Sequence, residues 1–254
     1  MASALVAGLV NAGVAPGSSI LVADPSPDAA RKLAESVGAT VADSNADAVS
    51  GSDVVLLCVK PGDAAAALKS CSGSMQGKLL VSIVTGVSIA ALESLAPGVR
   101  VIRAMPNTPA QIGAGATAFA ASASAGAEDL ELAGKILGAV GLAVPVTEAQ
   151  LDAVTGLSGS GPAYVFLVIE ALSDGGVAAG LPRPLAARLA IQTVLGAARL
   201  AAESGEHPAL LREAVTSPGG TTAAALATLE KSAVRAAFIE AVRAAATRAG
   251  ELGR

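Results

Sequence analysis

The hydrophobic pattern of this 254-residue chain changes once, near Val146, and no other feature limits its fold so sharply. Up to that point short β-branched or aliphatic runs alternate with helical stretches, the rhythm of repeated βα units. Ile20–Ala23, Val54–Val59, Leu79–Val84, Val99–Arg103, Gly115–Ala120 and Leu142–Val146 predict strands. Between them, Pro27–Val37 (Ser26 before it, Gly38 after it) and Ser88–Leu95 predict helices. Strands that are apolar on both faces suit a parallel sheet covered by helices. Beyond Val146 come long amphipathic helical stretches and no credible strand: Pro162–Ala179, Pro184–Ser204, Pro208–Val215 and Thr222–Leu252. The expectation is an α/β domain with a doubly wound sheet over residues 1–147, followed by an all-α domain over residues 148–254.

Composition narrows the function classes. With 52% apolar and 15% charged residues the chain has ample core material and is not disordered. A net charge of −4, one Tyr, three Phe and no Trp leave neither a basic patch nor a stacking platform, so nucleic acid is excluded as a partner. Two cysteines and one histidine have no metal-ligand spacing; Cys58 and Cys71 read as reduced thiols of a cytoplasmic protein. His207, before Pro208, reads as a surface or capping residue at a helix entry. Residues 1–23 carry no charge, but they lack a basic start, and Gly13, Pro16 and Gly17 interrupt them, so neither a signal peptide nor a membrane span is expected.

A dinucleotide-binding fold opens with a strand and a Gly-rich turn before its first helix, and an acidic residue follows about 20 positions later. Here the first ten residues already look helical and Asn11-Ala12-Gly13 looks like the stop, while Asp24 stands where the acidic residue belongs. Either the chain begins inside the motif or the domain is of another kind. Gly159-Ser160-Gly161 resembles the fingerprint but follows no strand, and reads as a tight helix entry.

The segment Val215–Thr222 points to a ligand. Gly219 and Gly220 let the backbone turn and approach closely, and the long helical stretch after them aims open N–H groups and a positive dipole end at whatever sits there. Ser217, Thr221 and Thr222 add hydroxyl donors suited to a carboxylate. An ordinary helix cap needs one such residue.

These segments carry a resemblance. Thr155-Gly-Leu-Ser-Gly-Ser-Gly-Pro-Ala-Tyr164, Gly180-Leu-Pro-Arg183, His207-Pro208 and Val215–Thr222 resemble pyrroline-5-carboxylate reductase, as do Val59-Lys-Pro-Gly62, Ser82–Val87 and Val101–Pro109 in the amino half. The likeness covers essentially the whole chain. It implies a Rossmann-like amino-terminal domain, an all-α dimerisation domain, and hydride transfer from NADPH or NADH to the C=N carbon of a cyclic imino acid, giving L-proline. It further implies a homodimer, with dimers often joined into rings.

Carried over by position, the resemblance gives Thr222 the catalytic role of hydrogen-bonding the ring nitrogen. It gives Ser217, Gly219, Gly220, Thr221 and Thr222, with Glu148, the substrate. It gives Met1, Asp24, Asn45, Cys58, Val59, Lys60, Pro61, Thr85 and Asn107 the dinucleotide. Asp24 suits a ribose 2′-hydroxyl, yet the family often takes NADPH. The departure is at the amino end: family members begin with a strand and a Gly-x-Gly-x-Met-Ala turn, of which Met1-Ala2 matches the last part. That leaves room for a non-catalytic dimeric homologue without a working cofactor site. A related imine or β-hydroxyacid reductase is a further alternative, but the lysine that hydroxyacid enzymes use in their second domain has no counterpart between Lys135 and Lys231.

Overall fold

The computed structural model describes residues 1–252, which divide into two compact units: Met1–Ser160 with the end of the chain from Arg243, and Gly161–Val242.

The first unit runs α1 (Ala2–Asn11), β1 (Leu21–Val22), α2 (Pro27–Val37), β2 (Thr40–Val41), α3 (Asn45–Ser50), β3 (Val54–Leu57), α4 (Ala64–Lys69), β4 (Leu79–Ser82), α5 (Ile89–Leu95), β5 (Arg100–Met105), β6 (Gly115–Ala121), α6 (Ala127–Gly138), β7 (Gly141–Pro145) and α7 (Leu151–Val154). A π-helical turn, Thr155–Gly159, follows α7. The strands form two sheets: β1 with β2, parallel, and a five-stranded sheet in the order β3-β4-β5-β6-β7. Strands β3, β4 and β5 are parallel, with Val55 opposite Leu80 and Leu80 opposite Val101.

Strand β4 shows why the sheet forms. All four of its residues are buried, and alternate side chains feed opposite cores. Leu79 and Val81 join Leu5 of α1, Ile102, Phe119 and Leu137 of α6; Leu80 joins Leu68 of α4, Leu92 of α5, Val101 and Leu151. Each such side chain stabilises the fold by about 1.5–3 kcal/mol. Helix α1 lies tightly on its neighbours: a Cβ on Gly8 would come within 2.3 Å of Val140 Cγ1 and 3.0 Å of the Ala139 carbonyl oxygen. Ser26, Ser44 and Ser88 cap α2, α3 and α5 through their hydroxyls, and α2 ends on Gly38 in the left-handed region.

Three sequence expectations change here. Strand β6 is antiparallel to β5, so the sheet is mixed. The connection at positions 106–114 is too short for the crossover a parallel strand needs. Strand β2 was not foreseen, because its two exposed residues gain only their pairing with β1. The stretch expected as a strand through Val59 stops at Leu57, and the one through Val84 at Ser82.

The second unit holds α8 (Gly161–Ala178), α9 (Arg183–Ser204), α10 (Pro208–Ala214) and α11 (Thr221–Lys231), together with the first part of α12 (Val234–Leu252). Helices α8 and α9 pack along each other, with Gly176 against Ala186. His207 caps α10: its Nδ1 accepts from the Ala209 N–H at 3.2 Å, with Pro208 at the first helical position. The single helix expected over 222–252 is two. They part at Ala233, which takes φ +53 while its N–H closes back on Glu230, and no glycine or proline marks the break. Apolar side chains of α8 and α9 stay open in this chain, among them Phe166 and Leu167 (64% and 65% exposed) and Leu195 (57%).

Candidate active site

In the second unit the chain makes a sharp turn before α11. Thr216 fixes its start, donating through Oγ1 to the Arg212 carbonyl at 2.6 Å. Gly219 has φ +67, a conformation that favours glycine, and the Gly220 N–H returns to the Ser217 carbonyl at 3.0 Å. Gly220 is the N-cap and offers no side chain, so the first N–H groups of α11 remain open for a ligand. The Ser217 hydroxyl folds over this point: a Cβ on Gly220 would lie 2.3 Å from Ser217 Oγ. Ser217 and Thr221 are exposed and Thr222 is half-buried. The start of α11 thus brings together open backbone N–H groups, the Ser217 hydroxyl and two threonines, with no carboxylate in the first turn to repel an anion.

In the first unit the carboxyl ends of the parallel strands define a second locus. Helix α1 packs against α2 and α6, and its N-terminus lies near Cys58, just past the end of β3. That N-terminus has no side-chain cap and no acidic residue in its first turn. Met1 lies there, close enough to Cys58 for the amino group to act on the thiol; burial outweighs this and pushes the thiol up to about 11. Asp24 follows β1 and its Oδ1 accepts from the Ser26 N–H at 2.8 Å. Cys58, Val59, Lys60 and Pro61 follow β3, with Lys60 exposed. Thr85 follows β4, its Oγ1 3.8 Å from Met105 Sδ. Asn45 opens α3 and donates through Nδ2 to Ser70 Oγ at 2.9 Å.

Asn107 and Glu148, both expected as contact residues, each make two hydrogen bonds within the fold. Asn107 is 9% exposed, and both ends of its amide are taken: Oδ1 accepts from the Ala116 N–H at 2.9 Å, and Nδ2 donates to the Ser158 carbonyl at 3.1 Å. Its amide therefore braces the π-helical turn and the start of β6. Glu148 Oε1 accepts from the Ile89 N–H at 2.7 Å and from Arg103 Nη1 at 2.9 Å. Arg103 was not singled out from sequence, although a cation flanked by apolar residues within a strand was the available signal. With Thr85, Gly86, Met105, Asp152 and Thr155 it lines a small cavity of about 10 Å³.

Comparison with known proteins gives the chain a family. Residues 148–252 match a family model described as pyrroline-5-carboxylate reductase dimerisation, and residues 1–86 match one described as NADP oxidoreductase, coenzyme F420-dependent. Pyrroline-5-carboxylate reductase of Synechocystis is 48% identical over 254 residues, covering 100% of this chain and 95% of that protein. The chain belongs to the pyrroline-5-carboxylate reductase family. A solved pyrroline-5-carboxylate reductase from Coxiella burnetii superposes with a TM-score of 0.95 at 38% identity, over 100% of this chain and 95% of its own. The Plasmodium falciparum pyrroline carboxylate reductase, solved with NADP bound, superposes at 0.88 with 30% identity, covering 99% and 94%. The fold expected from sequence, a Rossmann-like domain followed by a helical dimerisation domain, is the fold of this reductase family. The strand-end locus fits a dinucleotide: an uncapped helix N-terminus suits a pyrophosphate, and Lys60 and Thr85 add a cation and a hydroxyl.

Proposed function

We propose that this chain reduces L-1-pyrroline-5-carboxylate to L-proline, the last step of proline biosynthesis, with NADPH or NADH as hydride donor. The observation that carries the proposal is the turn before α11, an anion cradle with two threonines beside it in a chain of this family. The dinucleotide, when bound, supplies the hydride. Everything else falls to the chain's own groups. The open N–H groups of α11 and the Ser217 and Thr221 hydroxyls hold the substrate carboxylate. Thr222 Oγ1 hydrogen-bonds the ring nitrogen and holds its proton. At the strand ends Asp24, Lys60 and Thr85 engage the dinucleotide.

The same reading extends to assembly. The apolar side chains left open on α8 and α9 are covered by a second copy in a homodimer, and dimers join into rings. Helix α9 is long and apolar enough to cross a membrane by length and composition, yet Arg188 and Arg199 within it suit a protein interface better. We place the enzyme in the cytoplasm.

The test is oxidation of NADPH and of NADH in the presence of pyrroline-5-carboxylate. Turnover with either supports the assignment, and none with either ends it. Thr222→Ala then separates the roles: kcat should fall about 10- to 100-fold while dinucleotide affinity stays within twofold. A loss of dinucleotide binding would place Thr222 elsewhere.

A further inference from the structure

We infer that Glu148 is a positioning residue that fixes the turn between β4 and α5, and acts on dinucleotide binding, not on the imino acid. The inference rests on the dinucleotide reading of the strand-end locus. Thr85–Ser88 leads into α5, and the first helical N–H groups of α5 need acceptors. Ser88 Oγ takes the Ala91 N–H at 3.2 Å, and Glu148 Oε1, from a turn 59 residues further along, takes the Ile89 N–H at 2.7 Å. The same oxygen receives Arg103 Nη1 at 2.9 Å, and the Arg103 side chain is only 13% exposed. One carboxylate oxygen therefore joins the β4–α5 turn to β5. Glu148 is itself held in place: its 148–150 turn is closed by Gln150 Oε1, which accepts from the Thr147 N–H at 2.9 Å and its hydroxyl at 3.0 Å. Thr85 and Gly86, at the start of that turn, share with Arg103 the small cavity at the strand ends. Without the carboxylate the Ile89 N–H loses its acceptor, Arg103 is left half-buried and unpaired, and Thr85 is free to move.

The experiment compares wild type, Glu148→Ala and Glu148→Gln by calorimetric titration with NADPH, by steady-state kinetics in the imino acid, and by amide hydrogen exchange of residues 85–92 in the free protein. Glutamine keeps an oxygen acceptor for Ile89. The expected result is about tenfold weaker NADPH binding and about tenfold faster exchange in Glu148→Ala, most of each recovered in Glu148→Gln, with the imino-acid KM within twofold throughout. A raised imino-acid KM with unchanged NADPH binding overturns the inference and makes Glu148 a substrate contact. Unchanged exchange at 85–92 overturns it as well. The wild-type titration tests the underlying reading separately: if wild type does not bind NADPH or NADH, the dinucleotide assignment fails whatever the variants do.

Discussion

Gly220→Ala removes one function from the α11 turn without touching a functional side chain. The backbone at Gly220 has φ −77 and ψ 174, ordinary for alanine, so the new residue brings no backbone strain. Its Cβ would lie 2.3 Å from Ser217 Oγ and 3.1 Å from the Ser217 carbonyl. The hydroxyl hangs on a single torsion and is the atom that yields, turning away from the cradle. Stability changes little: about 0.4–1 kcal/mol gained from a less flexible unfolded chain offsets the rotamer change and the tight carbonyl contact. The functional cost is the hydrogen bond that Ser217 gives to a charged carboxylate, about 1.5–3 kcal/mol, or about 10- to 150-fold in kcat/KM for the imino acid. Initial rates at varied pyrroline-5-carboxylate, for Gly220→Ala, Ser217→Ala and the double variant, measure it. Both substitutions remove the same hydroxyl, so the double variant should be no slower than the worse single one. Full kcat/KM in Gly220→Ala, or losses that add in the double variant, would refute the assignment of Ser217 to the cradle.

Two further outcomes follow from the first unit. Gly8→Ala drives a methyl against Val140, which is 1% exposed and has no room to yield, so the protein should lose about 1–3 kcal/mol; an unchanged melting temperature would show that α1 does not lie this close. Cys58 has a folded-state pKa of about 11 against an ordinary 9.0, so the fold retains a proton that the unfolded chain releases. That contribution is intact below pH 9 and is lost as pH rises towards 11, about 1 kcal/mol of it by pH 10. Urea unfolding of wild type and Cys58→Ala at pH 8 and pH 10 isolates it, and curves that shift in parallel would contradict the burial of the thiol.

What could be read from the sequence was whatever rests on neighbours in the chain. Leu79–Ser82 announced a central strand because both faces need apolar residues. Ser26 and Gly38 bounded α2 because caps act within one helical turn. Gly219 and Gly220 marked the sharp turn before α11 because a helix N-terminus is a local object. The direction of β6 rests on no residue type and was readable only from the short connection at positions 106–114, a signal the strand pattern alone does not carry. The break at Ala233 was not legible, since helical residues run straight through. The same division separates the site residues. Asn107 and Glu148 attract notice by type, but their partners lie 51 and 59 residues away, at the Ser158 carbonyl and the Ile89 N–H. Both partners are backbone groups exposed by an irregular junction, a π-helical turn in one case and a helix start in the other. Leaving such a group unpaired in a buried place costs about 1–3 kcal/mol whether or not a ligand is bound. A polar side chain beside irregular buried backbone is therefore recruited by the fold before any ligand arrives.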